Sequence, residues 1–270
     1  MKRVFLFLIL YYLFVFGGEN YKAGYVTYPI FGNISEEEGT VEMWIKPKKD
    51  PYTPSISKKD FWYSMLIFQA VPKKGWGSPG FSFIWSPRVG LNWYGSYIDE
   101  EGKTGNYKNT PNLENKKIKW EVDEWKHIAV RWKGEEISLF IDGENLITRK
   151  IDRKIMLDKD GWIVIGRGIN DFVIDEFCIS GKARSDEEIK ERMKNPLKVD
   201  EYTLLLDNFE KVEGKQTIAE IISGLSGEKG GKLEEMVIKE DKEKPTPEEK
   251  GYEIVEGKFS KGLRFKLITF

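Results

Sequence analysis

The sequence contains one cysteine, Cys178, and one histidine, His127. A lone cysteine excludes an intramolecular disulfide framework and any multi-cysteine zinc site, and a lone histidine excludes motifs that need two histidines on one metal. Neither charge is in excess: 43 Lys and Arg stand against 44 Asp and Glu, which removes the basic balance of a general nucleic-acid binder. There is no Gly-x-Ser-x-Gly nucleophile elbow, and no self-similarity at the period of a solenoid or propeller. Aromatic residues, by contrast, make up 14% of the chain with nine Trp, alongside 26 Gly. That combination favours β structure over helical bundles. Charged residues are also abundant, at 32%.

The chain opens with Met1-Lys2-Arg3, an unbroken apolar run from Val4 to Phe16, and then Gly17-Gly18 before the polar Glu19. The run is shorter than the roughly 20 residues that cross a bilayer core of about 30 Å. A basic start, a short apolar centre and small residues are the layout of a secretory signal peptide over residues 1–18. A retained N-terminal anchor is the alternative, because Val15 and Phe16 are bulky beside the cleavage point. The expected protein is therefore secreted or cell-surface, with no membrane span after cleavage.

From Tyr25 to about Ser180 strand patterns alternate with turn signals. Val41, Met43 and Ile45 face one way and Glu42 and Lys46 the other, while Phe61–Ala70 is a strongly apolar run. Phe81, Phe83 and Trp85 share a face, as do Leu91 and Trp93, and the polar stretch Asp99–Lys117 is expected as a loop. Trp125–Lys133 and Glu136–Asp142 form an expected hairpin around Gly134, Asp142-Gly143 marks the next turn, and Trp162–Ile165 and Phe172–Ser180 complete the series. Ser185-Asp186-Glu187-Glu188 is a capping box that starts one short helix, which Pro196 stops. Residues 201–270 read differently, with strand-like ends at Tyr202–Phe209 and Gly262–Phe270 around the charged stretch Lys239–Lys250. Many short, evenly spaced strands predict an all-β sandwich or barrel.

Three blocks of this text resemble a known family. Gly39-Thr40-Val41-Glu42-Met43-Trp44-Ile45-Lys46-Pro47 is similar to the opening strand of laminin G-like, concanavalin A-like jelly-roll domains. Trp125-Lys126-His127-Ile128-Ala129-Val130 with Ile137–Gly143 resembles their central hairpin, and Ile174-Asp175-Glu176-Phe177 with Ala183–Ile189 their closing strand and helix. The resemblance implies an antiparallel two-sheet jelly-roll sandwich with one short helix, spanning residues 19–200, and a concave sheet that often binds ligand. It also implies that Glu201–Leu206 and Gly257–Phe265 are the family's usual first strands, here placed last. Three accounts follow: a circular permutant whose 201–270 tail completes its own sandwich, a tail donated to the next molecule, or a tandem array cut short. A sandwich without those strands would leave an open edge.

Related glucanases of this fold carry Glu-x-Asp-x-Glu on a strand, and Glu121-Val122-Asp123-Glu124 is a partial match. Trp125 stands where the third carboxylate belongs, so a solvated turn is the expected reading. His127 is expected as a structural marker and Cys178 as a buried small hydrophobe. Asp175 alternates with Val173 and Phe177, which places it inward; it then needs hydrogen bonds from backbone or a neighbouring turn, or a structural Ca2+. The family's common Asp-Gly calcium contribution is here Lys266-Leu267.

Exposed aromatic planes that stack on sugars carry the binding expectation. Trp76, between Gly75 and Gly77, is one candidate, Trp44 and Trp62 are expected to line the concave sheet, and Asn92 and Tyr94 share the face opposite Trp93, with Tyr97 close by. The sequence is thus read as a secreted, non-enzymatic module for a polysaccharide or glycosylated surface, without nucleic acid. The competing reading is a structural or adhesion protein that self-associates through residues 201–270.

Overall fold

The computed structural model describes residues 20–50, 65–73, 79–86, 90–113, 118–167, 171–224, 229–239 and 242–270. The expected signal peptide, Trp62 and Trp76 lie outside them. In chain order the first strands are β1 (Tyr21–Pro29), β2 (Glu38–Pro47), β3 (Met65–Val71), β4 (Gly80–Ser86) and β5 (Gly90–Ile98). The short β6 (Thr104–Asn106) and β7 (Asn112–Leu113) interrupt the stretch expected as a loop. Next come β8 (Lys126–Lys133), β9 (Glu136–Ile141), β10 (Glu144–Lys150), β11 (Trp162–Ile165), β12 (Phe172–Ser180) and the helix α1 (Asp186–Arg192). Beyond it lie β13 (Thr203–Asp207), β14 (Val212–Glu213), β15 (Gln216–Thr217), β16 (Ile221–Ile222) and β17 (Lys232–Ile238). The chain ends with β18 (Tyr252–Glu256), β19 (Lys261–Phe265) and β20 (Leu267–Thr269).

These strands form two antiparallel sheets, one of 11 strands along β14-β15-β17-β1-β11-β3-β4-β5-β6 and one of 9 along β10-β9-β8-β2-β12-β13-β16. The inner faces meet in a single core. Val41, Met43 and Ile45 of β2 and Ile128, Val130 and Trp132 of β8 pack toward Phe81, Phe83 and Trp85 of β4 and Leu91 and Trp93 of β5. Phe81 stacks on Trp93 at 5.5 Å between ring centroids, an aromatic pairing worth about 1 kcal/mol beyond its buried area. Asp142 and Gly143 both adopt positive φ (51° and 76°), the mirror-image turn that matches strand twist and closes the β9–β10 hairpin. Ser185 caps α1, and its side chain and Glu188 bond reciprocally as a capping box.

Every strand after Asp200 joins one of the two sheets. β13 and β19 pair with successive parts of β12, while β17 and β20 pair with β1. Leu205, Leu233, Leu263 and Phe265 thereby enter the main core. Among the described residues, no helix is long and apolar enough to cross a membrane.

The outer face of the nine-stranded sheet is covered by α1 and the segment after it: Ile189 packs on Ala129 and Phe140, and Leu197 on Cys178 and Leu206. Beneath that layer Glu42, fully buried, receives Arg192 Nε at 2.6 Å, and Arg184 binds Asp200 at 2.7 Å. Desolvation works against the Glu42 carboxylate, yet His127 and Arg192 beside it hold its pKa below the usual range. His127 is likewise fully buried, its Nε2 3.6 Å from Glu42, in the structural position expected of it. Cys178 is buried here too, and desolvation raises its thiol to about 12, so it is inert as a nucleophile.

Candidate functional site

The expected position of Asp175 is corrected by a bulge. Glu176 adopts φ 54°, and the β12–β2 register shifts by one residue between Asp175 and Cys178. An extra residue reverses the alternation. Phe172, Ile174, Phe177 and Ile179 therefore face the core, while Asp175 turns outward opposite Trp44. Its carboxylate accepts N–H bonds from Glu176 (2.8 Å), Lys258 (2.7 Å) and Phe259 (3.2 Å), and so ties the 257–260 turn to β12. Among the described residues, no group of three His, Cys, Asp or Glu side chains is placed to hold a metal.

Glu176 accepts the N–H of Leu197. Burial pushes Asp175 up to about 6 and Glu176 up to about 7. Carboxyls in an unfolded chain titrate near pH 4. Between that value and the folded ones the native state holds the extra protons, so these groups make stability fall as pH rises from about 4 to about 7. Asp200 has the opposite sign: although desolvation opposes it, bonds from Arg184 and Thr203 hold its pKa low, and its contribution is lost only in more acidic solution. The melting temperature is accordingly expected to be higher at pH 5 than at pH 8. Glu176→Gln keeps the acceptor for Leu197 and should recover about 2 kcal/mol at pH 8 with little effect at pH 5. A stability that rises across this interval in the native sequence would contradict the assignment.

Trp44 projects outward from the nine-stranded sheet but is only 5% exposed. Phe259 meets its ring edge-on at 6.1 Å and Lys258 Nζ sits 4.2 Å from its centroid, so the tail covers it. Tyr97 follows Trp93 inward: it packs against the core, edge-on to Tyr107, with Arg153 3.5 Å from its ring. It does not share the face of Asn92 and Tyr94. Glu121, Asp123 and Glu124 lie in an exposed turn, where Lys48 pairs with Asp123 and Lys126 with Glu124. No strand aligns them as catalytic carboxylates.

Asn92 and Tyr94 do project together, from the outer face of the eleven-stranded sheet. Tyr94 is 38% exposed and borders a groove of about 160 Å³ with Ser82, Ser96, Thr104 and Asn106. Val71 and Gly80 also line it. The row through Tyr94 continues along paired residues to Ser82, Gln69 and Val164. One strand end further on, Trp162 pairs with Val71 and is 44% exposed. Trp162 and Gln69 escaped the sequence reading, although the alternation within Trp162–Ile165 already assigns Trp162 to the side opposite Ile163 and Ile165.

Two antiparallel sheets packed face to face, with one short helix on the outer side, define the class as an all-β jelly-roll sandwich. The chain belongs to the concanavalin A-like lectin/glucanases superfamily, whose laminin G-type family model matches residues 19–190. No curated protein matches it in sequence. Among solved structures, a candidate carbohydrate binding protein from Bacteroides ovatus is similar at 14% identity and TM-score 0.45, over 83% of this chain and 61% of that one. The receptor binding domain of botulinum neurotoxin D is similar at 18% identity and TM-score 0.42, over 69% of this chain and 48% of that one. The chain thus spans under two thirds of either structure.

Proposed function

We propose that this is a secreted, non-catalytic module that binds carbohydrate on the outer face of the eleven-stranded sheet. The observation that carries the reading is Tyr94, exposed above a groove whose polar groups are Ser82, Ser96, Thr104 and Asn106. A tyrosine ring offers a face for the C–H surface of a pyranose, and neutral hydroxyl and amide groups exchange hydrogen bonds with its hydroxyls. Membership of a lectin and glucanase superfamily supports the substrate class. The lysine-paired carboxylates in the 121–124 turn support binding without hydrolysis, because glycoside cleavage needs two carboxyls facing one bond. Export rests on the first eighteen residues alone.

A polysaccharide panel with a parallel assay for released reducing ends tests both halves. The expected result is saturable binding of at least one polysaccharide with no reducing ends released. Tyr94→Ala should weaken that binding by about tenfold or more while the protein stays folded. Failure of the folded protein to bind any member would overturn the binding half, and release of sugar the non-catalytic half.

A further inference from the structure

We infer that the groove beside Tyr94 takes a single uncharged sugar unit, the end of a glycan chain or branch, which enters from the edge of the sheet; the inference rests on the carbohydrate reading above and narrows it. Phe81 and Trp93 turn into the core, so Ser82 and Tyr94 face outward from β4 and β5. Toward β3 the groove is walled. A Cβ at Gly80 would overlap the Ala70 carbonyl oxygen and lie 3.7 Å from Pro72 Cδ, so the chain leaving β3 fills the place a side chain would take. In the neighbouring row Ser82, Gln69 and Val164 are at most 3% exposed, and no open track leads from Tyr94 toward β11 through these residues. The open end lies the other way. Ser96 pairs with Asn106 on β6, the last strand of the sheet, where Thr104 and Asn106 are exposed.

The volume of about 160 Å³ sets the size of the occupant. Pockets for drug-sized ligands run from roughly 300 to 1,000 Å³. At about 30 Å³ for each water, this groove holds roughly five waters. One sugar ring laid against Tyr94 suits that space, and a second ring ahead of it would meet the wall at Pro72. A terminal unit can therefore enter with its chain trailing back over β6 into solvent.

Charge selects further. None of the described residues that line the groove is Asp, Glu, Lys or Arg, in a chain that is 32% charged. Lys103, in the turn before β6, is paired with Glu101 at 2.5 Å. A carboxylate, sulfate or ammonium drawn into the groove would lose hydration and meet no counter-ion. The hydroxyls of Ser96 and Thr104 and the amide of Asn106 can each donate and accept, as the hydroxyls of a neutral sugar do.

The test titrates methyl glycosides of glucose, galactose, mannose and xylose into the native protein, beside oligosaccharides from disaccharide to hexasaccharide that end in the same sugars. Methyl glucuronide and methyl galacturonide are the acidic counterparts. One neutral methyl glycoside should bind within about threefold of the hexasaccharide that ends in it. Its uronide should bind about tenfold or more weakly than the neutral form. Asn106→Lys, at an exposed position of the edge strand, puts a cation at the mouth and should raise the uronide's affinity by about threefold or more. A hexasaccharide bound tenfold or more tighter than its methyl glycoside, a uronide bound as tightly as the neutral sugar, or a uronide affinity unmoved in Asn106→Lys would overturn this inference and leave the carbohydrate reading standing. Absence of binding to every glycan would overturn both.

Discussion

Deleting residues 201–270 is expected to abolish cooperative folding. The family match ends at residue 190, so a truncation near 200 looks harmless by family boundaries. The pairing says otherwise. β12 would lose β13 and β19 along one whole side, and β1 would lose β17 and β20. Leu205, Leu233, Leu263 and Phe265 leave the core together, and each buried side chain of this size contributes about 1.5–3 kcal/mol. Their sum rivals the whole stability of a domain, about 5–15 kcal/mol. The open side of β12 would also invite pairing with other chains. Circular dichroism and thermal melting of the truncated protein should show no cooperative transition, and the residue 201–270 peptide added back should restore one. A truncated chain that melts cooperatively near the native temperature would mean that the tail is an appendage.

Replacing Arg192 by alanine is expected to cost about 3–5 kcal/mol, the penalty for stranding a buried charge. Glu42 has no access to solvent, and the Arg192 guanidinium binds it at 2.6 Å. His127 stands 3.6 Å away, too far for a hydrogen bond in its present place. Without the guanidinium, Glu42 must stay ionised in a buried site or take a proton, and either costs stability near neutral pH. Glu42→Gln in the Arg192→Ala background removes the charge and should recover much of the loss. Denaturant unfolding of the two single variants and the double variant measures the coupling. A loss below about 1 kcal/mol in Arg192→Ala would place the Glu42 charge in a more polar environment than its burial indicates.

Most of the sandwich was legible because its strands alternate strictly. β2, β4, β5 and the β8–β9 hairpin each bury one face, and a period of two is visible wherever that holds. β10, Glu-Asn-Leu-Ile-Thr-Arg-Lys, was missed because it is an edge strand with little buried on either face, so no alternation marks it. β17, Lys-Leu-Glu-Glu-Met-Val-Ile, carries adjacent charges, and among its described side chains Leu233 alone joins the main core. Its strand state comes from pairing with β1, a contact between residues some two hundred positions apart in sequence. Asp175 failed for a different reason: one left-handed residue, Glu176, inverts the face of everything before it, and no local pattern announces a bulge at a glutamate. Even so, the partners expected for Asp175, backbone groups of a neighbouring turn, are those it has. On the binding face, Asn92 and Tyr94 followed from alternation with Trp93. The same rule correctly sends Tyr97 to the other side, and sequence proximity alone had grouped it with them. Trp44 was beyond reach, since the turn that covers it comes from residues 257–260.

Parallel titration of Tyr94→Ala and Trp44→Phe with a neutral polysaccharide that the native protein binds is the most direct test of the central claim. Both aromatics point away from the core, one from each sheet. The account predicts that Tyr94→Ala loses binding by about tenfold or more and that Trp44→Phe, altered beneath Phe259 and Lys258, binds as the native protein does. Binding retained in Tyr94→Ala and lost in a folded Trp44→Phe would move the site to the opposite sheet and contradict the account.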